Sequence, residues 1–161
     1  MACQQRAKFE GWLKFELAAA LTHCSDFTNI TLEDGYPKGG RSDLSFFYKG
    51  VKWFVEMKTA NTNWRAEGLE SITRPVTRNI DGIIEDILIL EQKSYPSKGI
   101  AIFVLFPVPV FIWKVETGKL TFHLQRIGNE TSIPRNTITN NANFVQLTEQ
   151  FGICAYVIEV V

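Results

Sequence analysis

The chain is poor in the residues from which several kinds of protein are built. Three cysteines, Cys3, Cys24 and Cys154, stand far apart, and none forms a Cys-x-x-Cys pair. A disulfide framework and a structural zinc site are therefore not expected, and a reducing, cytoplasmic setting fits best. Only two histidines are present, and neither has an acidic or cysteine companion nearby in sequence. Charge of one sign is missing too. Lys and Arg number 17, Asp and Glu number 17, and the isoelectric point is near 6.7. That excludes a strongly basic, non-specific nucleic-acid binder, although a local basic groove needs no overall excess. No apolar run is long enough to span a bilayer, and the longest, residues 99–113, contains Pro107 and Pro109. Near the N-terminus Lys8, Glu10, Lys14 and Glu16 interrupt the apolar residues, so neither a secretion signal nor a membrane partner is expected. Repeats and low-complexity tracts are absent.

What remains is ordinary for a folded protein, with 45% hydrophobic and 12% aromatic residues in a chain of 161. A chain of this size suits one domain spanning 1–161 and buries roughly 70% of its unfolded surface.

The organising stretch is 42–59, two β-rich runs joined at Lys49-Gly50. Counting the turn as two or four residues gives the same register, with Asp43 directly opposite Glu56 and on the same face. Lys58 follows Glu56 by two residues and points the same way. Two facing carboxylates destabilise a sheet unless a cation lies between them. Either Lys58 neutralises both acids in a purely structural ion cluster, or the gap holds a metal.

Around this hairpin, apolar spacing predicts a first helix from about residue 3 to 23. Phe9, Trp12, Leu13, Leu17, Ala20, Leu21 and Cys24 form its stripe, with Glu16 inside the stripe and Glu10 at its edge. A buried lone carboxylate is costly, so Glu16 is expected to aim into a polar pocket. Residues 27–32 read as a strand and 33–41 as a Gly/Pro loop carrying Lys38 and Arg41 toward Asp43. The polar stretch 61–79, holding Arg65, Arg74 and Arg78, reads as a solvated loop, with a short helix around 66–72 and a nucleic-acid-contacting arm as its functional reading. Ile80, Ile83, Ile84, Ile87 and Leu88 mark a second helix, with Thr77 or Asn79 as N-cap. Residues 100–106 form a strand buried on both faces. A hairpin over 111–115 and 120–126, carrying His123, then an irregular stretch over 129–143 and a last strand over 155–160 complete the expectation. Cys24 and Cys154 are expected in the core, and His23 at the end of the first helix, where a cation is favourable. The fold class is α/β: an αβββαβ core on a mixed central sheet flanked by helices.

From Phe9 to about Phe106 the chain resembles the PD-(D/E)xK nuclease superfamily, the restriction-endonuclease-like fold. The resemblance rests on Glu16, Asp43 and Glu56-Met57-Lys58 in an αβββαβ order. Ser42 replaces the motif's proline, and Glu56 is the Glu variant of its second acid. The resemblance implies a Mg²⁺-dependent endonuclease, with Mn²⁺ as substitute, that hydrolyses phosphodiester bonds of DNA. Asp43 and Glu56 would be the main metal ligands beside a backbone carbonyl near Met57, with Glu16 on a metal-bound water or a second ion. Lys58 would orient the attacking water and counter transition-state charge. Lys38, Arg41, Arg65, Arg74 and Arg78 would contact the nucleic acid, and a homodimer would supply a composite basic groove. The rival expectation is a non-catalytic interaction or nucleic-acid-binding subunit of a larger complex on the same fold.

Overall fold

The computed structural model describes residues 9–62, 64, 76–114 and 119–160. Its elements run α1 (Glu10–Thr22), β1 (Phe27–Leu32), β2 (Leu44–Tyr48), β3 (Val51–Asn61), α2 (Val76–Lys93) and β4 (Lys98–Pro109). Then follow α3 (Val110–Lys114), α4 (Lys119–Glu130), α5 (Arg135–Asn140), β5 (Ala142–Gln146) and β6 (Phe151–Val160). The αβββαβ order read from the sequence is present. The six strands form one mixed sheet in the order β1-β2-β3-β4-β6-β5, flanked by helices. Among the described residues, no helix is long and apolar enough to cross a membrane.

The β2–β3 hairpin turns at Lys49 and Gly50, both at positive φ, the left-handed conformation that a two-residue turn requires. Its register, from Leu44↔Val55 to Tyr48↔Val51, is the one the turn arithmetic demands. β3 and β4 pair in parallel, from Trp53↔Lys98 to Asn61↔Phe106, with α2 as the crossover.

Side-chain alternation then splits β3 between two cores. Phe54 and Ala60 face the larger one, packed with Ile80, Ile83, Ile84 and Ile87 of α2. Val55 and Met57 face a smaller one with Leu44, Phe46 and the inner side of α1, namely Leu13, Leu17, Ala18 and Leu21. Burying side chains such as these contributes about 1.5–3 kcal/mol each. Glu56 and Lys58 share the α2 side with Phe54 and Ala60, because residues two apart share a face.

Several expectations are corrected. α1 presents Trp12 and Ala20 to solvent rather than burying them, and Cys24, just beyond its end, is exposed rather than in the core. Its inner face instead runs through Leu13, Leu17, Ala18 and Leu21. The strand expected to stop at residue 106 continues as β4 to Pro109, with a register shift between Leu105 and Val108. The prolines, which lack a ladder N–H, fall at or just beyond that irregularity. The hairpin expected over 111–126 is helical: Val110–Lys114 and Lys119–Glu130 are α3 and α4. Leu124 and Ile127 are buried three residues apart, the helical and not the strand period. His123 is accordingly buried on α4 instead of lying in an edge hairpin. The stretch expected to be irregular contains α5 and β5. The last strand is found, longer than expected, as β6, and Cys154 is fully buried on it. The short helix expected around 66–72 lies outside the described residues.

Candidate active site at the free edge of β3

β3 outruns its hairpin partner. β2 begins at Leu44 opposite Val55, so on that side the ladder ends just before Glu56. Backbone N–H groups left beyond the end of a ladder must find other acceptors. Two carboxylates supply them. Asp43 Oδ2 accepts the Met57 N–H at 2.8 Å, and Glu10 Oε2, from the first turn of α1, accepts the Thr59 N–H at 3.0 Å. The acid at the head of β2 and an acid of α1 therefore meet the very segment of β3 that carries Glu56 and Lys58.

The backbone fixes Asp43 on both sides. Its N–H donates to Val55 O at 3.1 Å, and its carbonyl accepts from the Glu33 N–H at 3.1 Å. Its second oxygen, Oδ1, lies 3.4 Å from Lys14 Nζ, and the same ammonium reaches Glu33 Oε1 at 3.3 Å. The lysine lies one turn after Glu10, so α1 delivers an acid and a base to the cluster from one face.

Glu56 Oε1 accepts the Tyr36 hydroxyl at 2.5 Å. Tyr36 is buried against Phe54, with ring centroids 4.8 Å apart. The loop carrying it is pinned by Asp34, which accepts from Gly35 N–H at 2.8 Å and Ser45 Oγ at 2.6 Å and pairs with Lys52 Nζ at 2.7 Å. Lys52 and Ser45 hold the Asp34 carboxyl below the usual carboxylate range. Gly39 and Gly40 at positive φ let the loop turn back on itself.

Burial raises the Glu56 carboxyl to about 8. The Tyr36 hydrogen bond opposes the rise, and the charges of Asp43 and Asp86 add to it. Asp86 of α2 is pushed to about 6, again chiefly by burial, with Lys58 opposing and Asp43 and Glu10 reinforcing. The Tyr36 hydroxyl is driven up by burial and by Glu56. Lys58 Nζ lies 3.1 Å from Asp86 Oδ2. Burial favours its neutral form, but Asp86, with Glu10 and Asp43, outweighs this and the ammonium is held more firmly than an ordinary lysine. Two acids whose protons are held by lost solvent and by neighbouring carboxylates mark a site under electrostatic stress.

Of the residues named from the sequence, Asp43, Glu56 and Lys58 come together. Glu16 does not join them. It is exposed on α1, and the helix face that reaches β3 carries Glu10 and Lys14 instead. On the inner face set by Leu13, Leu17, Ala18 and Leu21, Glu10 and Lys14 fall within the arc of these side chains, whereas Glu16 is about 100° or more from Leu17, Ala18 and Leu21. Lys38, Arg41 and Arg78 are exposed, with Arg41 4.0 Å from Glu33. Arg65 and Arg74 lie outside the described residues. Sequence reasoning missed Glu10, Lys14, Tyr36 and Asp86. Glu10 alone had a signal, as an acid at the margin of the apolar stripe, three residues before Leu13.

The donor set suits a hard cation. Mg²⁺ keeps several waters and takes one or two carboxylates, and Asp43 and Glu56 are two such groups whose repulsion a cation would relieve. No larger set is gathered: among the described residues, no three His, Cys, Asp or Glu side chains form a metal-holding group. Comparisons of the chain with protein-family models, with curated proteins and with solved structures found no match.

Proposed function

We propose that this chain is a Mg²⁺-dependent nuclease of the PD-(D/E)xK type, with a restriction-endonuclease-like core, that hydrolyses phosphodiester bonds of DNA. One observation carries the reading. At the point where β3 loses its β2 partner, Asp43 and Glu10 dock on the N–H groups of Met57 and Thr59, and this brackets Lys58 directly after Glu56. Glu10, and not the exposed Glu16, is the acid of α1 that reaches this segment.

Asp43 and Glu56 would hold the cation, which would supply Lewis acidity toward the phosphoryl oxygens and lower the pKa of bound water. Tyr36 donates to Oε1 of Glu56 and so fixes that carboxyl in place beside Asp43. Lys58 offers its ammonium to the attacking water and to the charge that gathers on phosphorus-bound oxygens as the bond to the leaving sugar oxygen breaks. Glu10 keeps the Thr59 backbone, and with it Lys58, in register. Lys38 and Arg41, exposed on the stretch around Tyr36, and Arg78, exposed on α2, would meet the sugar-phosphate backbone.

The test is cleavage of supercoiled, branched and single-stranded DNA with Mg²⁺ or Mn²⁺. The expected result is nicking or cleavage that Lys58→Ala abolishes at an unchanged melting temperature. No cleavage of any DNA form with either ion overturns the proposal. A second reading has its own support: Lys58 pairs with Asp86, and Lys14 lies beside Asp43, so these charges are met without a metal. That arrangement suits a non-catalytic interaction or nucleic-acid-binding subunit, which predicts DNA binding indifferent to Mn²⁺ and to Lys58→Ala.

A further inference from the structure

Lys58 would not hold its place unaided. A lysine has a flexible four-carbon stem, and a strand lysine flanked by apolar neighbours ordinarily runs its stem along them and leaves the ammonium in water. Here the ammonium turns to α2, where Asp86 meets it at 3.1 Å with both side chains largely buried. The stem passes over Gly82, one helical turn before Asp86. A Cβ at Gly82 would stand 3.1 Å from Lys58 Cε and 3.9 Å from its Nζ.

Glycine is a poor residue for the middle of a helix, and α2 runs from Val76 to Lys93 with Gly82 well inside it. Its inward positions otherwise carry large side chains: Ile80, Ile83, Ile84 and Ile87. The missing Cβ therefore cuts a notch in an apolar wall, and the notch leads to a carboxylate. A buried ion pair is a weak source of stability compared with apolar packing of the same volume. An arrangement that gives up helix propensity at one position and apolar packing at another fits a requirement for the ammonium itself. The Asp86 charge also reaches Glu56 and Tyr36, which puts the pair inside the cluster rather than beside it.

We infer that α2 carries a built seat for the catalytic lysine, with Asp86 the positioning residue for Lys58 and Gly82 the clearance that lets the side chain lie down. This inference rests on the nuclease reading for its effect on rate, but not for the seat itself.

Gly82→Ala separates positioning from structure. Alanine favours the helix, so the melting temperature should rise or hold, while the added methyl displaces Lys58 and lowers kcat for DNA cleavage about 10-fold with KM little changed. Asp86→Asn should lower kcat at least as much, and Asp86→Glu, which keeps the charge, should recover part of the loss. In parallel, the rate at which an amine-acylating reagent labels Lys58 at one fixed pH, read by mass spectrometry, should rise several-fold in Gly82→Ala and Asp86→Asn. If the wild-type chain cleaves DNA and both variants cleave equally well, the seat is overturned and the nuclease reading stands. If the wild-type chain cleaves nothing, the nuclease reading falls and labelling alone decides the seat. Unchanged labelling in both variants rejects it, and enhanced labelling supports it.

Discussion

The two halves of β3 are built on different terms. From Val51 to Val55 the strand is hydrogen-bonded to β2 on one side, and from Trp53 onward to β4 on the other. Its partners there are backbone, and its only ionisable side chain, Lys52, is paired with Asp34. From Glu56 to Asn61 only β4 remains as a strand partner. The other edge is completed by the side chains of Asp43 and Glu10, and the ionisable residues Glu56 and Lys58 are half-buried. A strand paired on both edges tolerates apolar residues and surface charges. Where pairing stops, the unpaired N–H groups attract carboxylates, and those carboxylates bring electrostatic stress into the sheet. Chemistry becomes available where the ladder ends.

The comparison is broken most forcefully by removing its cation. Lys58→Ala should reduce DNA cleavage by about 10²–10³-fold, the loss typical of a preorganised group that meets transition-state charge. Val51→Ala, at the exposed start of the half paired with β2, should leave cleavage near the wild-type rate. A cleavage time course on plasmid DNA reads both.

Next comes the cost of the stressed acid. The Glu56 carboxyl is raised from 4.5 to about 8 by burial and by Asp43 and Asp86, so the folded state holds this proton more tightly than the unfolded chain. Its contribution to stability is therefore complete below about pH 4.5 and is lost as pH rises through about 8. Metal-free protein should weaken over that window, and Asp86, raised to about 6, adds a smaller loss at its lower end. Glu56→Gln should be more stable than wild type at pH 8 by roughly 1–3 kcal/mol and little different at pH 4.5. Denaturant midpoints at the two pH values check this. Divalent cation should reverse the trend for wild type alone.

The free-edge N–H groups give a third contrast. Asp43→Ala leaves the Met57 N–H without its acceptor and should cost about 1–3 kcal/mol by urea unfolding.

How much of this was legible in the sequence depended on which period carried the information. The hairpin was, because Lys49-Gly50 and the strand period of two fix its register, and that register placed Asp43 against Glu56. The core order was legible for the same reason, since α2 and β4 have clear periods. α1 was harder to read. It is apolar on nearly every side, with Trp12 and Phe15 exposed, so hydrophobicity does not identify its inner face, and the apolar stripe points to Glu16 whereas Glu10 is the acid that reaches β3. Tyr36 sits in a loop whose course depends on Asp34, Ser45 and Lys52, contacts far apart in sequence. Asp86 carries no signal of its own in the sequence and enters the site only through its ion pair with Lys58 of β3.

The smallest expected effect tests that reassignment. Glu10→Gln weakens the acceptor for the Thr59 N–H and should cost on the order of 1 kcal/mol. Glu16→Gln, on the exposed face, should stay within about 0.5 kcal/mol. Thermal unfolding of the two variants side by side shows which glutamate the sheet uses.

The most direct test of the central claim is a calorimetric titration with Mn²⁺ at pH 8, run on the wild-type chain beside Asp43→Asn. Saturable binding to the wild type that the variant loses is the result predicted for carboxylates that hold a metal at the free edge of β3. The same heat in both proteins, or none in either, would contradict it and leave the cluster as an ion network that neutralises itself.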